Sequence, residues 1–315
     1  MIPITPEIRC EYYVSTKLKK IWNIEMDLLM TLLEVCKENN LCCWVLAGTM
    51  LGAIRHKGFI PWDDDIDVAL PREDFEKLVR IAPKVFTGKY FLQTPRTDHQ
   101  YYSSTIRLRN LETTAIVLSQ WDNIDKERSN QGVFLDIFPL DGWPIDTGEQ
   151  KRVVNKVYFY NKLFLDRLYL NPKSLKEKSM KIFNNLYFMF HDYEKELDKF
   201  DRVCSKYNNT SSVTAYIARG KVKNDGYRYI WTAEETSSTE WLPFEDMLVP
   251  VPVGYKSCLK KRYGDYMAFP PVSERGKWHD ESVYFDPDKS FREYVSKTSE
   301  ELRQMNKDER ESTTV

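Results

Sequence analysis

Apolar residues recur along the chain at two different periods, and the changes of period divide it into elements. From Leu18 to Cys36, the residues Trp22, Met26, Leu29, Leu33 and Cys36 fall at alternating intervals of four and three, which is one face of a helix. Asn39-Asn40 ends that helix. Leu41 to Ala47 is a short apolar run that fits a buried strand. Gly48-Thr49 breaks it, ahead of a short helical turn over Met50 to Arg55. Gly58 to Trp62, with Pro61, reads as a loop. Asp65 to Leu70 then alternates acidic and apolar residues, the period of a strand, until Pro71 stops it. Arg72 to Ala82 returns to a helical period with Phe75, Leu78, Val79 and Ala82 inward. Strand-like pieces follow at Tyr90–Gln93, Ser104–Leu108, Thr113–Leu118 and Gly132–Phe138, the last alternating around Asp136.

This order predicts an α/β (α+β) core over 1–148, without fixing the order of its strands. After Gly148 the pattern changes to long, aromatic-rich helical stretches, Lys151–Leu170 and Ser174–Phe200, within a helical region at 149–207. A C-terminal segment at 208–296 is built of short strand-like and loop pieces, and 297–315 is a polar tail expected to fray. The sequence shows no internal repeat.

Composition narrows the function. The chain has 315 residues, 42% hydrophobic and 30% charged, which is a globular composition. Its 46 basic residues nearly balance its 47 acidic ones, which argues against broad binding to a nucleic-acid backbone. Six cysteines form no Cys-x-x-Cys and no Cys/His cluster, so neither zinc nor a redox pair is indicated, and Cys42 and Cys43 read as buried reduced thiols. The first twenty residues carry no signal-peptide-like apolar stretch, and nothing approaches the ~18 apolar residues that span a bilayer. A cytoplasmic protein is the expectation.

The chemistry centres on Asp65-Ile66-Asp67. Side chains two apart on a strand share a face, so Asp65 and Asp67 point together while Ile66 and Val68 bury the other side. Asp63 joins them if the strand begins early, and Asp64 points away. Converging carboxylates repel, and a hard divalent cation such as Mg²⁺ or Mn²⁺ resolves that repulsion while bridging phosphate oxygens. Taken alone, an Asp-rich run fits a solvated turn equally well. Two features favour the metal reading. Gly48-Thr49 offers a backbone N–H and a hydroxyl to a phosphate, and Asp136 sits in an otherwise apolar strand where a lone acid is costly.

The segment from Ala47 to Val68, AGTMLGAIRHKGFIPWDDDIDV, resembles the signature of the LicD/fukutin-related family, as does Gly132–Gly142, GVFLDIFPLDG. Tyr263-Gly264-Asp265-Tyr266-Met267, followed by Pro270-Pro271, is similar to the family's C-terminal segment. The resemblance implies a nucleotidyltransferase-like fold and transfer of phosphocholine, or a related phospho-alcohol, from a CDP-linked donor such as CDP-choline or CDP-ribitol to a sugar of lipopolysaccharide or teichoic acid. It also implies that Gly48-Thr49 is the phosphate-binding turn, that Asp65 and Asp67 are paired metal ligands, and that Asp136 is the third carboxylate. His279 falls at the less clearly matched end of the C-terminal block.

Among the surrounding residues, Arg55 and Lys57 are candidates to hold the diphosphate. Arg107 and Arg109 share a strand face and either reach the phosphates or balance the acidic cluster. Trp62 either stacks on a base or packs its loop. The aromatic helices at 151–200 read first as a layer on the core, and otherwise as a face resting on a membrane that carries a lipid-linked glycan acceptor. Competing functions are a DxD nucleotide-sugar glycosyltransferase, a nucleotidylyltransferase, and a catalytically silent glycan- or metal-binding protein.

Overall fold

A computed structural model of the chain describes residues 1–168, 174–217, 230–276 and 282–313. A hairpin of β1 (Glu7–Arg9) and β2 (Tyr12–Val14) leads into α1 (Thr16–Glu38). Ser15 caps α1 by accepting the Leu18 N–H, and the helix stops at Asn39, beyond which Asn40 takes a positive φ. Trp22, Met26, Leu29 and Cys36 form its buried face, with Leu33 half-buried at the margin.

The next elements are β3 (Trp44–Val45), α2 (Ala47–Arg55), β4 (Asp67–Pro71), α3 (Arg72–Val85), β5 (Tyr90–Gln93) and β6 (Ile106–Asn110). After β7 (Thr114–Val117) and α4 (Leu118–Trp121) comes β8 (Val133–Gly142), the organising strand of the sheet. β4 lies parallel to β8 on one side, and β6 lies antiparallel to it on the other. β3 extends the sheet beyond β4 and β5 extends it beyond β6, both antiparallel. α1 packs on β6 and β8, and α3 on β4 and β8. The mixed sheet with helices matches the α/β expectation.

Beyond β8 run α5 (Thr147–Leu168), α6 (Leu175–Phe190) and α7 (Tyr193–Cys204). The helix expected over Ser174–Phe200 is two helices, because Asp192 accepts the Lys195 N–H and starts a new one. β9 (Val213–Ala215) pairs with the end of β8, and β10 (Ile230–Thr232) with β9. A hairpin of β11 (Thr239–Phe244) and β12 (Met247–Pro252), then α8 (Tyr255–Tyr263), follow. β13 (Val283–Asp286) pairs with β7, and α9 (Ser299–Thr313) closes the described chain.

Three further local expectations change. The apolar run at 41–47 contributes only two residues of strand, since Ala47, at φ 48°, turns the chain into α2. Cys42 is half-buried rather than buried, and all six cysteines are free. The tail expected to fray from Lys297 is helical over α9, where Leu302 buries fully in a small core with Trp121 and Phe291. Among the described residues no helix is long and apolar enough to cross a membrane.

Candidate active site

The parallel ladder between β4 and β8 sets the first geometric fact of the site: Asp67 is the direct Cα partner of Asp136. The Asp136 N–H donates to the Ile66 carbonyl at 3.0 Å, so pairing begins one residue before β4. The Asp67 N–H donates to Thr49 Oγ1 at 2.8 Å, and the Leu46 N–H donates to the Asp67 carbonyl at 2.8 Å. Thr49, buried in the first turn of α2, therefore uses its hydroxyl oxygen to fix the start of β4.

Asp65 lies in the loop just before β4, not within a strand extending from it, because the ladder closes only at Ile66. The alternation nevertheless persists through the loop. Ile66 and Val68 are fully buried while Asp65 and Asp67 are half-buried. Asp63 approaches the start of α2 so closely that a Cβ on Gly48 would stand 2.5 Å from its Oδ2. Gly48 thus lets a carboxylate reach the positive end of α2, which has no side-chain cap. The Asp63 carbonyl is held by Trp22 Nε1 at 2.9 Å, tying the acidic loop to α1.

Asp136 is held from the β6 side. Arg107 is its direct cross-strand partner and donates through Nε to Asp136 Oδ1 at 2.9 Å, while Thr105 Oγ1 donates to the same oxygen at 3.0 Å. The Arg107 guanidinium also sits 3.7 Å over the Phe134 ring. Burial, the largest influence, works to lower the Arg107 pKa, but Asp136, Tyr101 and Asp67 together outweigh it and the pKa is raised. Arg109 has a different role. It is fully buried, donating to Gln93 Oε1 at 2.5 Å and to the Gly132 carbonyl at 2.6 Å, so it supports the sheet and does not reach Asp136.

One acid escaped the sequence pattern. Glu25, on α1, is 1% exposed and its Oε2 has no hydrogen-bond partner. Burial first, then the charges of Asp64, Asp65, Asp63 and Asp67, push its pKa well above the ordinary carboxyl value. A fifth acid therefore stands in the field of the aspartate run. The usable signal was its place one turn from Trp22 and beside Met26, on the inward face of α1.

The cations upstream divide. Arg55 donates to the carbonyls of Tyr266 and Ala268 at 3.2 and 2.9 Å, so it clamps the 264–270 segment onto α2. His56 stacks on Phe269 at 5.2 Å, and Trp62 packs edge-on to both rings while Arg275 lies 4.9 Å over it. Trp62 is thus a packing residue of this cluster. Lys57 is exposed at a left-handed turn, φ 56°, beside Gly58, where the Glu245 carboxylate accepts the Phe59 N–H. His279 lies outside the described residues.

Among the described residues no three His, Cys, Asp or Glu side chains form a ready-made metal cage. The donor chemistry still fits Mg²⁺ or Mn²⁺. Such ions are commonly held by one or two carboxylates with substrate phosphates completing the shell, and Asp65 and Asp67 are the residues that would supply that pair. Glu25 Oε2, without a hydrogen-bond partner, lies within the field of Asp63, Asp64, Asp65 and Asp67, so five carboxyl groups share this neighbourhood.

Thr105 borders a cavity of about 640 Å³ between α3, α7 and the approach to β6. Its walls combine Phe75 and Leu197 with Arg80, Arg96 and Arg202.

Residues 40–161 match the family model described as LicD/FKTN/FKRP, nucleotidyltransferase domain, a span that holds Gly48, Thr49, Asp65, Asp67, Arg107 and Asp136. The chain is 28% identical over 270 residues to the lipopolysaccharide cholinephosphotransferase LicD of Haemophilus influenzae, covering 79% of this chain and 91% of that protein. It is also 45% identical over 51 residues to an uncharacterized protein of Rickettsia prowazekii, covering 16% of this chain and 19% of that one. An uncharacterized protein of Rickettsia typhi is 43% identical over 51 residues, 16% of each chain.

Proposed function

Because the chain belongs to the LicD family, we propose that it is a phosphotransferase moving a phosphocholine-type group from a CDP-linked donor to a hydroxyl of a cell-surface glycan. In that reaction the acceptor oxygen bonds to the phosphorus next to the alcohol, and the bond from that phosphorus to the CMP oxygen breaks. CMP leaves, and the hydroxyl proton passes to a carboxylate.

The observation that carries this reading is the pairing of Asp67 with Asp136 across β4 and β8, with Arg107 and Thr105 fixed on Asp136. Asp136 is the base in this reading. Two donors on one oxygen restrict how its carboxylate turns, which is what proton transfer to a positioned group requires. In this reading the start of α2 at Gly48-Thr49, which the Asp63 carboxylate approaches, orients the diphosphate. Mg²⁺ or Mn²⁺ held by Asp65 and Asp67 would supply neutralisation of the charge that builds on the diphosphate. The cavity bordered by Thr105 is the route for the acceptor. In this reading the reaction takes place in the cytoplasm, at the inner face of the membrane.

The leaving group tests this. The chain is incubated with lipopolysaccharide and, in turn, CDP-choline, CDP-ribitol, CDP-glycerol, a UDP-sugar or ATP, and the released nucleotide is measured. CMP with the alcohol phosphate on the glycan supports the proposal. UDP identifies a glycosyltransferase, pyrophosphate a nucleotidylyltransferase, and no release with metal still bound a silent binding protein.

A further inference from the structure

Of the sixteen residues of α6, one is buried: Asn184, whose Nδ2 donates to the Leu163 carbonyl of α5 at 2.5 Å. The opposite face carries Leu175, Ile182, Phe183, Leu186, Met189 and Phe190, all exposed, with Leu175 at 85% and Phe190 at 81%. At ~100° per residue these six fall within about a third of the helix circumference, and the only other residue in that arc is Ser179. The apolar surface continues onto α5, because Tyr187 lies 6.1 Å from Phe183 and 6.5 Å from Phe159, itself exposed. The helix is nevertheless well made, since Ser174 and Glu177 close a capping box at its start. α1, α3, α5 and α7 each bury an apolar face, whereas α6 displays one. A continuous exposed surface of this kind marks an interaction site.

Charge selects the partner. α5 and α6 carry eight lysines and arginines against three acidic residues, in a chain whose net charge is −1. Lys176 and Lys178 flank the apolar arc. Docking of the same face of a second copy would bring the two basic surfaces together, which like-charge repulsion opposes. A bilayer with anionic headgroups satisfies both features, taking the apolar face among its acyl chains and the lysines at its phosphates.

We propose that the exposed face of α6, extended by Phe159, is a membrane-docking surface that lies in the plane of an anionic lipid bilayer. This surface is independent of the reaction proposed above.

The test is sedimentation of the full chain with vesicles of phosphatidylcholine, with and without phosphatidylglycerol. The wild type should bind the anionic vesicles more tightly, and binding should weaken with added salt. Phe183→Ser/Phe190→Ser should reduce partitioning ~10-fold or more with an unchanged melting temperature, because both rings are already exposed. Lys176→Glu/Lys178→Glu should weaken binding to anionic vesicles alone. Transfer to a water-soluble glycan fragment should be unchanged in both variants, so failure of the reaction itself would leave this result standing. A wild type that stays in the supernatant, or a serine variant that sediments equally well, overturns the proposal. So does a concentration-dependent dimer that the serine substitutions abolish, which assigns the face to a second copy.

Discussion

Asp67 and Asp136 stand side by side across a parallel strand pair although 68 residues of chain lie between them, and each is fixed by a partner from a third element. Thr49 of α2 accepts the Asp67 N–H, and Arg107 of β6 donates to the Asp136 carboxylate. The site is therefore assembled by sheet order, with β6, β8 and β4 adjacent. Substituting the two acids should separate chemistry from folding. Asp67→Asn should lower turnover by ~100-fold or more with little change in melting temperature. Asp136→Asn should lower both, because it leaves Arg107 buried without its partner. Turnover and thermal unfolding of the same preparations check the pair.

Glu25 gives a pH dependence of definite sign. Its folded pKa lies well above the unfolded value near 4.5, so between the two the folded state holds a proton that the unfolded state has lost. Stability tied to this residue is fully present below about pH 4.5 and falls as pH rises toward the folded pKa. Glu25→Gln, measured in EDTA, should raise the melting temperature at pH 7–8 and leave it unchanged at pH 4. An equal shift at both pH values would mean that burial does not hold this acid neutral.

His56 gives the opposite slope. Burial, then the charges of Arg55, Arg275 and Arg9, push its pKa down to about 4, against an ordinary 6.5. The unfolded chain binds the extra proton between those values, so stability is complete above about pH 6.5 and is lost as pH falls toward 4. His56→Phe should remove ~1–2 kcal/mol of that acid loss, after solvent screening of a half-buried ring is allowed for. Denaturant titrations at pH 7.5 and pH 4.5 provide the comparison.

Arg72, at the start of α3, and Asp141, near the end of β8, make a buried bidentate pair at 2.8 and 2.6 Å. Removing Asp141 leaves the buried Arg72 only a longer contact, 3.5 Å, with the partly exposed carboxylate of Asp201, so Asp141→Asn should cost ~3 kcal/mol of stability. Arg72→Met/Asp141→Leu together should cost less than Asp141→Asn alone. Urea unfolding of the single and double variants measures the difference.

The local parts of this site were legible because adjacent residues carry them. The Gly48-Thr49 turn, the aspartate run and Asp136 in its apolar strand each announce themselves within a few positions. What the sequence hid depends on contacts between distant segments. Glu25 looks like any polar residue of an amphipathic helix until α1 lies beside the aspartate loop. Arg107 and Arg109 share a strand face and the same alternation, yet only the register of β6 on β8 pairs Arg107 with Asp136 while Arg109 lies against Gln93 and Gly132. Arg55 reads as a phosphate ligand by charge and position, but its guanidinium is committed to the carbonyls of Tyr266 and Ala268. The break at Asp192 was hidden in a continuous helical pattern, because a cap is one residue and the apolar period runs past it.

The central claim is that the Asp65/Asp67 site binds a CDP-linked alcohol through a divalent cation. Thermal unfolding of the wild type and of Asp65→Asn/Asp67→Asn, with CDP-choline, CDP-ribitol, CDP-glycerol, a UDP-sugar or ATP in Mg²⁺ or EDTA, tests it most directly. One CDP-alcohol at ~100 times its dissociation constant should stabilise the wild type by about 2.7 kcal/mol in Mg²⁺, and neither in EDTA nor in the double variant. Equal stabilisation of the double variant, or a response confined to the UDP-sugar or ATP, would contradict the account.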